Sequence, residues 1–150
     1  MTIDTYPPEQ EDLFGNSRLS NLDTWVFDKV KTFFSSARQN VDLQMELRKT
    51  KSVFFLHLLG CDSNGHAHRP HSKEYQDNAL LVDKGISEIV EIIESYWRHD
   101  MRTTFIFTAD HGMTDWGSHG AGTHHETEVP FIAWGAGIRR PVQDHTNNTR

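Results

Sequence analysis

The chain has 150 residues, 36% of them apolar, and a formal net charge of −6. That length allows one small domain with its own core. An acidic balance without any basic stripe argues against a nucleic-acid surface, though a phosphate substrate stays open, because bound metal cations invert the local electrostatics. The lone cysteine, Cys61, excludes an internal disulfide framework.

Residues Met1 to about Arg18 hold Pro7-Pro8 and the acidic Glu9-Gln10-Glu11-Asp12, and read as a loop or disordered arm. Met1–Gln10 lacks the apolar centre of a signal peptide. No stretch approaches the roughly 20 apolar residues of a membrane span. Ser20-Asn21-Leu22-Asp23 has capping-box spacing. It predicts a helix to about Arg38 with Leu22, Trp25, Val26, Val30, Phe33, Phe34 and Ala37 on one face. A weaker helix is expected over Val41–Thr50. Ser52–Gly60 is nearly all apolar, the pattern of a strand covered on both faces. The polar, glycine-containing Cys61–His71 then reads as a loop. From about Lys73 to Trp97 the apolar positions Tyr75, Ala79, Val82, Ile86, Ile89, Ile93 and Trp97 recur in steps of four and three, predicting a long helix. Gly85 interrupts it at modest cost.

Thr103–Phe107 is a β-branched and aromatic run that reads as a buried strand, and Thr108–Gly120 follows as a glycine-rich loop. A last short strand, Glu128–Trp134, contains Pro130, which favours a sheet edge. The tail from Arg139 is polar, and Asn147-Asn148-Thr149 fits a short glycosylation pattern. Strand, long helix, strand is a βαβ unit, so the expectation is an α/β domain with parallel strands covered by helices. Residues 1–150 read as one partial domain. In such a unit Asp62 and Asp110 both follow strand ends and open onto one sheet edge, where α/β sheets bind ligands.

Ten histidines are present, and seven lie in two windows: His66, His68, His71, and His111, His119, His124, His125. A lone Asp-His reads as a hydrogen-bonded pair, and a lone Asp-x-x-x-His as a surface loop. Asp62/His66 and Asp110/His111/His119 at one predicted edge favour a metal instead. Mixed carboxylate and imidazole ligands suit Zn²⁺, with Mn²⁺ the other candidate, and not Ca²⁺. Two such ions about 4 Å apart can clamp a transferring phosphoryl or sulfuryl group.

Two motifs carry a resemblance. Phe54-Phe55-Leu56-His57-Leu58-Leu59-Gly60-Cys61-Asp62-Ser63-Asn64-Gly65-His66-Ala67-His68-Arg69-Pro70 and Thr108-Ala109-Asp110-His111-Gly112-Met113-Thr114-Asp115-Trp116-Gly117-Ser118-His119-Gly120-Ala121-Gly122 resemble the GPI ethanolamine phosphate transferase 1 family of the alkaline phosphatase superfamily. The resemblance runs from about Leu22 to Ile138. It implies transfer of phosphoethanolamine from phosphatidylethanolamine to the first mannose of a GPI-anchor precursor. It also implies the lumenal side of the endoplasmic reticulum membrane, reached through parts of a parent protein outside this chain, and two divalent ions.

Carried over, the resemblance puts Asp62, His66 and His119 in one metal site and Asp110 with His111 in the second. The superfamily completes that second site with an upstream Asp and a Thr or Ser nucleophile, neither of which is visible here. Thr24 and Thr32 fall inside a predicted helix, so the nucleophile is expected upstream of this chain. The competing readings are another phosphodiesterase or sulfatase of the superfamily, and a catalytically inactive metal-binding fragment.

Other residues read more plainly. His57 fits a hydrogen-bonded core histidine, Cys61 a small loop residue, and Trp116 and Trp134 packing residues rather than a sugar platform. His124 or His125 could replace His119, though the family pattern favours His119. His68 and His71 either touch the substrate phosphate or face solvent.

Overall fold

The computed structural model describes residues 2–8, 18–49 and 51–143. The acidic stretch at 9–12 and the Asn147-Asn148-Thr149 pattern lie outside the described residues. Among the described residues five helices and two strands follow in the order α1 (Asn21–Gln39), α2 (Val41–Lys49), α3 (Gly60–His68), α4 (Lys73–Tyr96), β1 (Thr104–Thr108), α5 (His124–Thr127) and β2 (Phe131–Gly135). Among the described residues no helix is long and apolar enough to cross a membrane.

The core lies between α1 and α4. Phe27, Val30, Phe34 and Ala37 of α1 meet Ile89, Ile93 and Tyr96 of α4, and all seven are buried. On both helices the buried stripe is rotated slightly from the one expected. In α1 it takes in Asp23 and Phe27, and in α4 it runs through Asn78, Val82, Gly85, Ile89, Ile93 and Tyr96. Ala79 is exposed and Trp97 half-buried. The rotation follows the smallest residue. A Cβ at Gly85 would lie 2.1 Å from the Phe27 ring, so α1 and α4 approach most closely there. Ser72 starts α4 by accepting a hydrogen bond from the Tyr75 amide at 3.2 Å. Ser20, by contrast, is in helical conformation and its side chain makes no capping bond to α1, so the capping-box expectation fails.

Residues 60–68 are a helix and not a loop, because Asp23 of α1 caps the first amide of that helix. The expected parallel pairing of Ser52–Gly60 with Thr103–Phe107 is not among the pairings of the described residues. Their sheet is a two-stranded antiparallel one, β1 with β2, running from Thr104 opposite Gly135 to Thr108 opposite Phe131. Phe105 stacks on Trp134 at 5.3 Å across it. Residues 53–58 do keep a strand's period of two: Leu56 and Leu58 pack on the helical core, with Phe54 against Phe33 and Phe34. Val53 and Phe55 are 92% and 86% exposed on the other side, and His57 is exposed with them rather than in the core. An apolar composition demands cover but does not name the partner that provides it.

Gly85→Ala tests the contact between α1 and α4. Alanine gains about 1 kcal/mol of helix propensity over glycine, while forcing a methyl into a filled interface costs about 1–3 kcal/mol. The overpacking is expected to win and lower the denaturation midpoint. Ile89→Ala, a buried truncation, is expected to cost about 2–5 kcal/mol in the same measurement.

Candidate metal centre

The site begins with a carboxylate that is not itself in it. Asp23 of α1 is fully buried, and its Oδ1 accepts a hydrogen bond from the Gly60 amide at 2.9 Å. Its Oδ2 accepts one from Asn78 Nδ2 of α4 at 2.8 Å. Gly60 is the first residue of α3, and the N-cap, Leu59, has no side-chain oxygen to offer. Asp23 therefore caps α3 from another helix, satisfying an orphan amide at its positive end. A Cβ at Gly60 would lie 2.2 Å from Asp23 Oδ2, so a side chain there would break the cap. Desolvation by burial raises the Asp23 pKa, with the Gly60 amide, Asn78 and His57 acting in the opposite sense. Burial also pushes the neighbouring Cys61 thiol up, which argues against a reactive cysteine.

With α3 formed, Asp62 and His66 stand one turn apart on one helical face. The loop after β1 docks alongside. Its turn is closed by the Gly117 amide donating to the Thr114 carbonyl at 2.9 Å, and the Thr114 amide donates to the Ser118 carbonyl at 2.9 Å. Gly117 has φ +76, and a Cβ on it would lie 2.3 Å from the Gly65 carbonyl oxygen, so only glycine lets loop and helix touch. Four contacts then run along the seam in antiparallel order. Asp62 faces His119 at 3.3 Å, His66 Nδ1 donates to the Gly117 carbonyl at 2.7 Å, the Arg69 guanidinium lies over the Trp116 ring at 5.3 Å, and His71 meets Asp115 at 3.1 Å.

At the inner end of this seam three ligand groups converge. Asp62 Oδ2 is 3.4 Å from His66 Nε2, Asp62 Oδ1 is 3.3 Å from His119 Nε2, and the two imidazole Nε2 atoms are 3.0 Å apart. A tetrahedral ion with bonds near 2.1 Å separates its ligands by roughly 3.4 Å, so the spacing fits zinc. Two further features point the same way. His66 holds its Nδ1 proton toward the Gly117 carbonyl, which leaves Nε2 as a lone pair, the usual second support of a metal-binding histidine. Asp62 Oδ1 is buried and accepts no hydrogen bond from the described residues.

His111 approaches from the far side, stacked on His119 with ring centroids 3.7 Å apart. Its Nδ1 donates to the Gly112 carbonyl at 2.9 Å, again leaving Nε2 free. Asp62, His111 and His119 each present a ligand atom within 4.8 Å of the others. Asp110 does not join them. Its side chain is 75% exposed, with Oδ2 3.7 Å from His111 Nε2, and it lines an open cleft of about 400 Å³ with His111, His119 and Glu126.

The remaining candidates lie outside the cluster. His124 pairs with Glu128 on α5 at 3.3 Å, which leaves His119 as the histidine that reaches Asp62. His68 is exposed, and His71 is held by Asp115. Trp134 packs on Phe105 as expected, but Trp116 is 76% exposed and is not a packing residue. The residues missed from the sequence are Asp23 and Asn78, polar positions inside otherwise apolar helix faces. Arg69 carries no local sequence signal of its own either. It has φ +74 and ψ +153, a backbone region almost confined to glycine that costs of order 1–3 kcal/mol. The following Pro70 disfavours it further.

A carboxylate and imidazoles gathered from α3 and the loop after β1 are the ligand types that hold divalent metals in phosphoester enzymes. The profile of the type I phosphodiesterase / nucleotide pyrophosphatase family matches residues 3–128, and the chain belongs to that family. Within it, the chain is 58% identical over 137 residues to GPI ethanolamine phosphate transferase 1 of Mus musculus, covering 91% of this chain and 15% of that protein. It is 55% identical over 137 residues to the Homo sapiens protein of that name, again 91% and 15%. For the Aspergillus oryzae protein of the same name the identity is 51% over 142 residues, 95% of this chain and 14% of that protein. The resemblance read from the two motifs is thus borne out. The chain spans about 15% of the length of the curated relatives it matches. No solved structure matches it.

Removing one inner ligand should uncouple the site. His66→Ala and His119→Ala are each expected to weaken zinc binding by about 100-fold or more, the upper end of what even a supporting residue costs. His124→Ala is expected to stay within about twofold, as read by competition with a chromogenic chelator.

Asp23 gives a pH test. Its folded-state pKa is raised, so the carboxylate's contribution favours folding most at low pH and declines as pH climbs from the ordinary 3.8 through the raised value. Asp23→Asn is expected to remove that decline while keeping an oxygen for the Gly60 amide. Asp23→Ala leaves that buried amide unpaired and is expected to cost about 1–3 kcal/mol. Denaturant midpoints across pH check both.

Proposed function

We propose that this chain is the metal-binding portion of a phosphoethanolamine transferase domain. The reaction is transfer of phosphoethanolamine from phosphatidylethanolamine to the first mannose of a GPI-anchor precursor. It would take place at the lumenal face of the endoplasmic reticulum membrane, with two zinc ions as cofactors. One observation carries the reading: Asp62, His66 and His119 meet at 3.0–3.4 Å at the end of α3. The chain that places them there is 51–58% identical to relatives named for this activity.

In this reading Asp62, His66 and His119 hold one ion, and His111 with Asp110 belongs to the second. Bound zinc supplies Lewis-acid stabilisation of the charge that develops on transferring phosphoryl oxygens and on an attacking hydroxyl. The chain's own contribution is positional. Asp62 brings the negative charge that balances a cation, and His66 and His111 keep their protons on Nδ1 by donating to the Gly117 and Gly112 carbonyls. Asp110, at the rim of the cleft with Oδ2 3.7 Å from His111 Nε2, would supply the carboxylate of that second site. The nucleophilic hydroxyl is proposed to lie in sequence preceding this chain. Thr24, one of the hydroxyls considered above, is taken up by the Asn21 carbonyl inside α1.

The test compares two proteins. The isolated chain, loaded with zinc, is expected to bind metal yet to take no label from a labelled phosphoethanolamine donor. A full-length protein containing it is expected to transfer the label to a mannose-bearing acceptor, and Asp62→Asn or His119→Ala in that protein should lower turnover by about 100-fold or more. Stoichiometric labelling of a Ser or Thr in the isolated chain would overturn the placement of the nucleophile. Transfer undiminished by both substitutions would overturn the metal reading.

A further inference from the structure

We propose that Trp116, Arg69, Asp115 and His71 form a carbohydrate subsite that seats the sugar acceptor beside the metal centre. The inference rests on the transferase reading above and adds where the acceptor binds and through which side chains.

Trp116 sits at the tip of the turn closed between Thr114 and Gly117, and it is 76% exposed. An indole held in solvent at the tip of a well-braced turn offers a rigid aromatic surface. The bracing is extensive: the Thr114 hydroxyl accepts from the Ser118 amide at 3.2 Å and bonds the Ser118 hydroxyl at 2.9 Å. The Arg69 guanidinium lies over the indole at 5.3 Å, a cation–π contact that also fixes its plane. Beside it, Asp115 and His71 are joined at 3.1 Å, with side chains 83% and 79% exposed. An exposed aromatic plane ringed by a fork of N–H donors, a carboxylate and an imidazole suits a pyranose. The ring's axial C–H bonds pack on the indole, and its hydroxyls both donate and accept at the rim.

Backbone strain is the second, independent observation. Arg69 is held at φ +74 and ψ +153 ahead of a proline, where glycine would be at ease. The conformation is fixed from both sides. The Arg69 amide donates to Gly65 at 2.8 Å, and the Arg69 carbonyl accepts from the Ser72 amide at 3.1 Å and the Ser72 hydroxyl at 2.8 Å. A side chain held in a setting that glycine would relieve points to a role for its guanidinium. Its nearest task is at Trp116.

The seam sets the address. Gly117, which follows Trp116, receives the His66 Nδ1 bond, and Asp62 and His119 lie one step further along. A sugar on Trp116 is therefore next to the ligands proposed to hold the transferring group. This reverses the expectation that Trp116 is a packing residue.

The experiment uses the full-length protein and two probes: a soluble mannose trisaccharide for calorimetric binding, and a mannose-bearing acceptor for transfer kinetics. Trp116→Ala is expected to raise acceptor KM and trisaccharide Kd by about tenfold or more, a shift of one decade per 1.4 kcal/mol. That rise should far exceed any change in zinc affinity. Trp116→Tyr, which keeps a ring, should recover part of it. Arg69→Gly should raise the thermal midpoint, because the strain is relieved, and at the same time weaken acceptor binding. A purely structural arginine would not separate those two readouts. Acceptor KM within about twofold of wild type in both Trp116→Ala and Arg69→Gly would overturn the subsite while leaving the transferase reading intact. Trisaccharide binding that Trp116→Ala abolishes, in a protein that transfers nothing, would leave the subsite standing and overturn the transferase reading.

Discussion

The buried Asp23 carboxylate is the contact on which the site depends. A nine-residue helix rich in glycine and polar side chains is too short to persist by its own propensity. α3 exists because Asp23, reaching from α1, takes up its first amide, and because Asn78, from α4, takes up the other carboxylate oxygen. One buried charge thus ties three helices at a single point. The burial that raises its pKa is the cost of that arrangement, and the two hydrogen bonds offset part of it.

From that point the geometry propagates through contacts between α3 and the loop after β1. The helical repeat sets Asp62 and His66 on one face. Gly65 and Gly117 remove the side chains that would hold the loop away, and the His66–Gly117 bond locks both the docking and the tautomer. The same bond therefore serves two ends, since a loop displaced from α3 would also lose the lone pair offered at His66 Nε2. His119 arrives on the loop and His111 stacks behind it, so the inner ligands are held by backbone carbonyls, a helix and one another. Outward along the seam the contacts become progressively more exposed, ending at Trp116 and the His71–Asp115 pair. The gradient runs from the half-buried side chains of Asp62, His66 and His119 to the exposed Trp116.

The strand-like segment and the hairpin have a different character from the helical layer. Val53, Phe55, Ile106, Phe131 and Ile132 are all more than half exposed, while Leu56, Leu58 and Phe105 pack against the helices. Residues 53–58 and β1 thus keep a packed face and a bare one, in a chain that spans about 15% of the length of its relatives.

The sequence by itself determined the helices α1 and α4, the strand at 104–108 and the ligand types, because apolar period and residue chemistry are local properties. The spacing of Asp62 and His66 was also legible, and the family resemblance pointed to His119, which stands 3.3 Å from Asp62. What it could not determine was α3, which polarity and glycine content disguise as a loop and which only a carboxylate 37 residues earlier stabilises. Nor could it reveal the partner of residues 52–59, the exposure of Trp116 or the strain at Arg69. Strand pairing, exposure and a forced backbone angle are set by what lies across space. Tertiary structure alone decides them, because each depends on contacts between segments that no local pattern encodes.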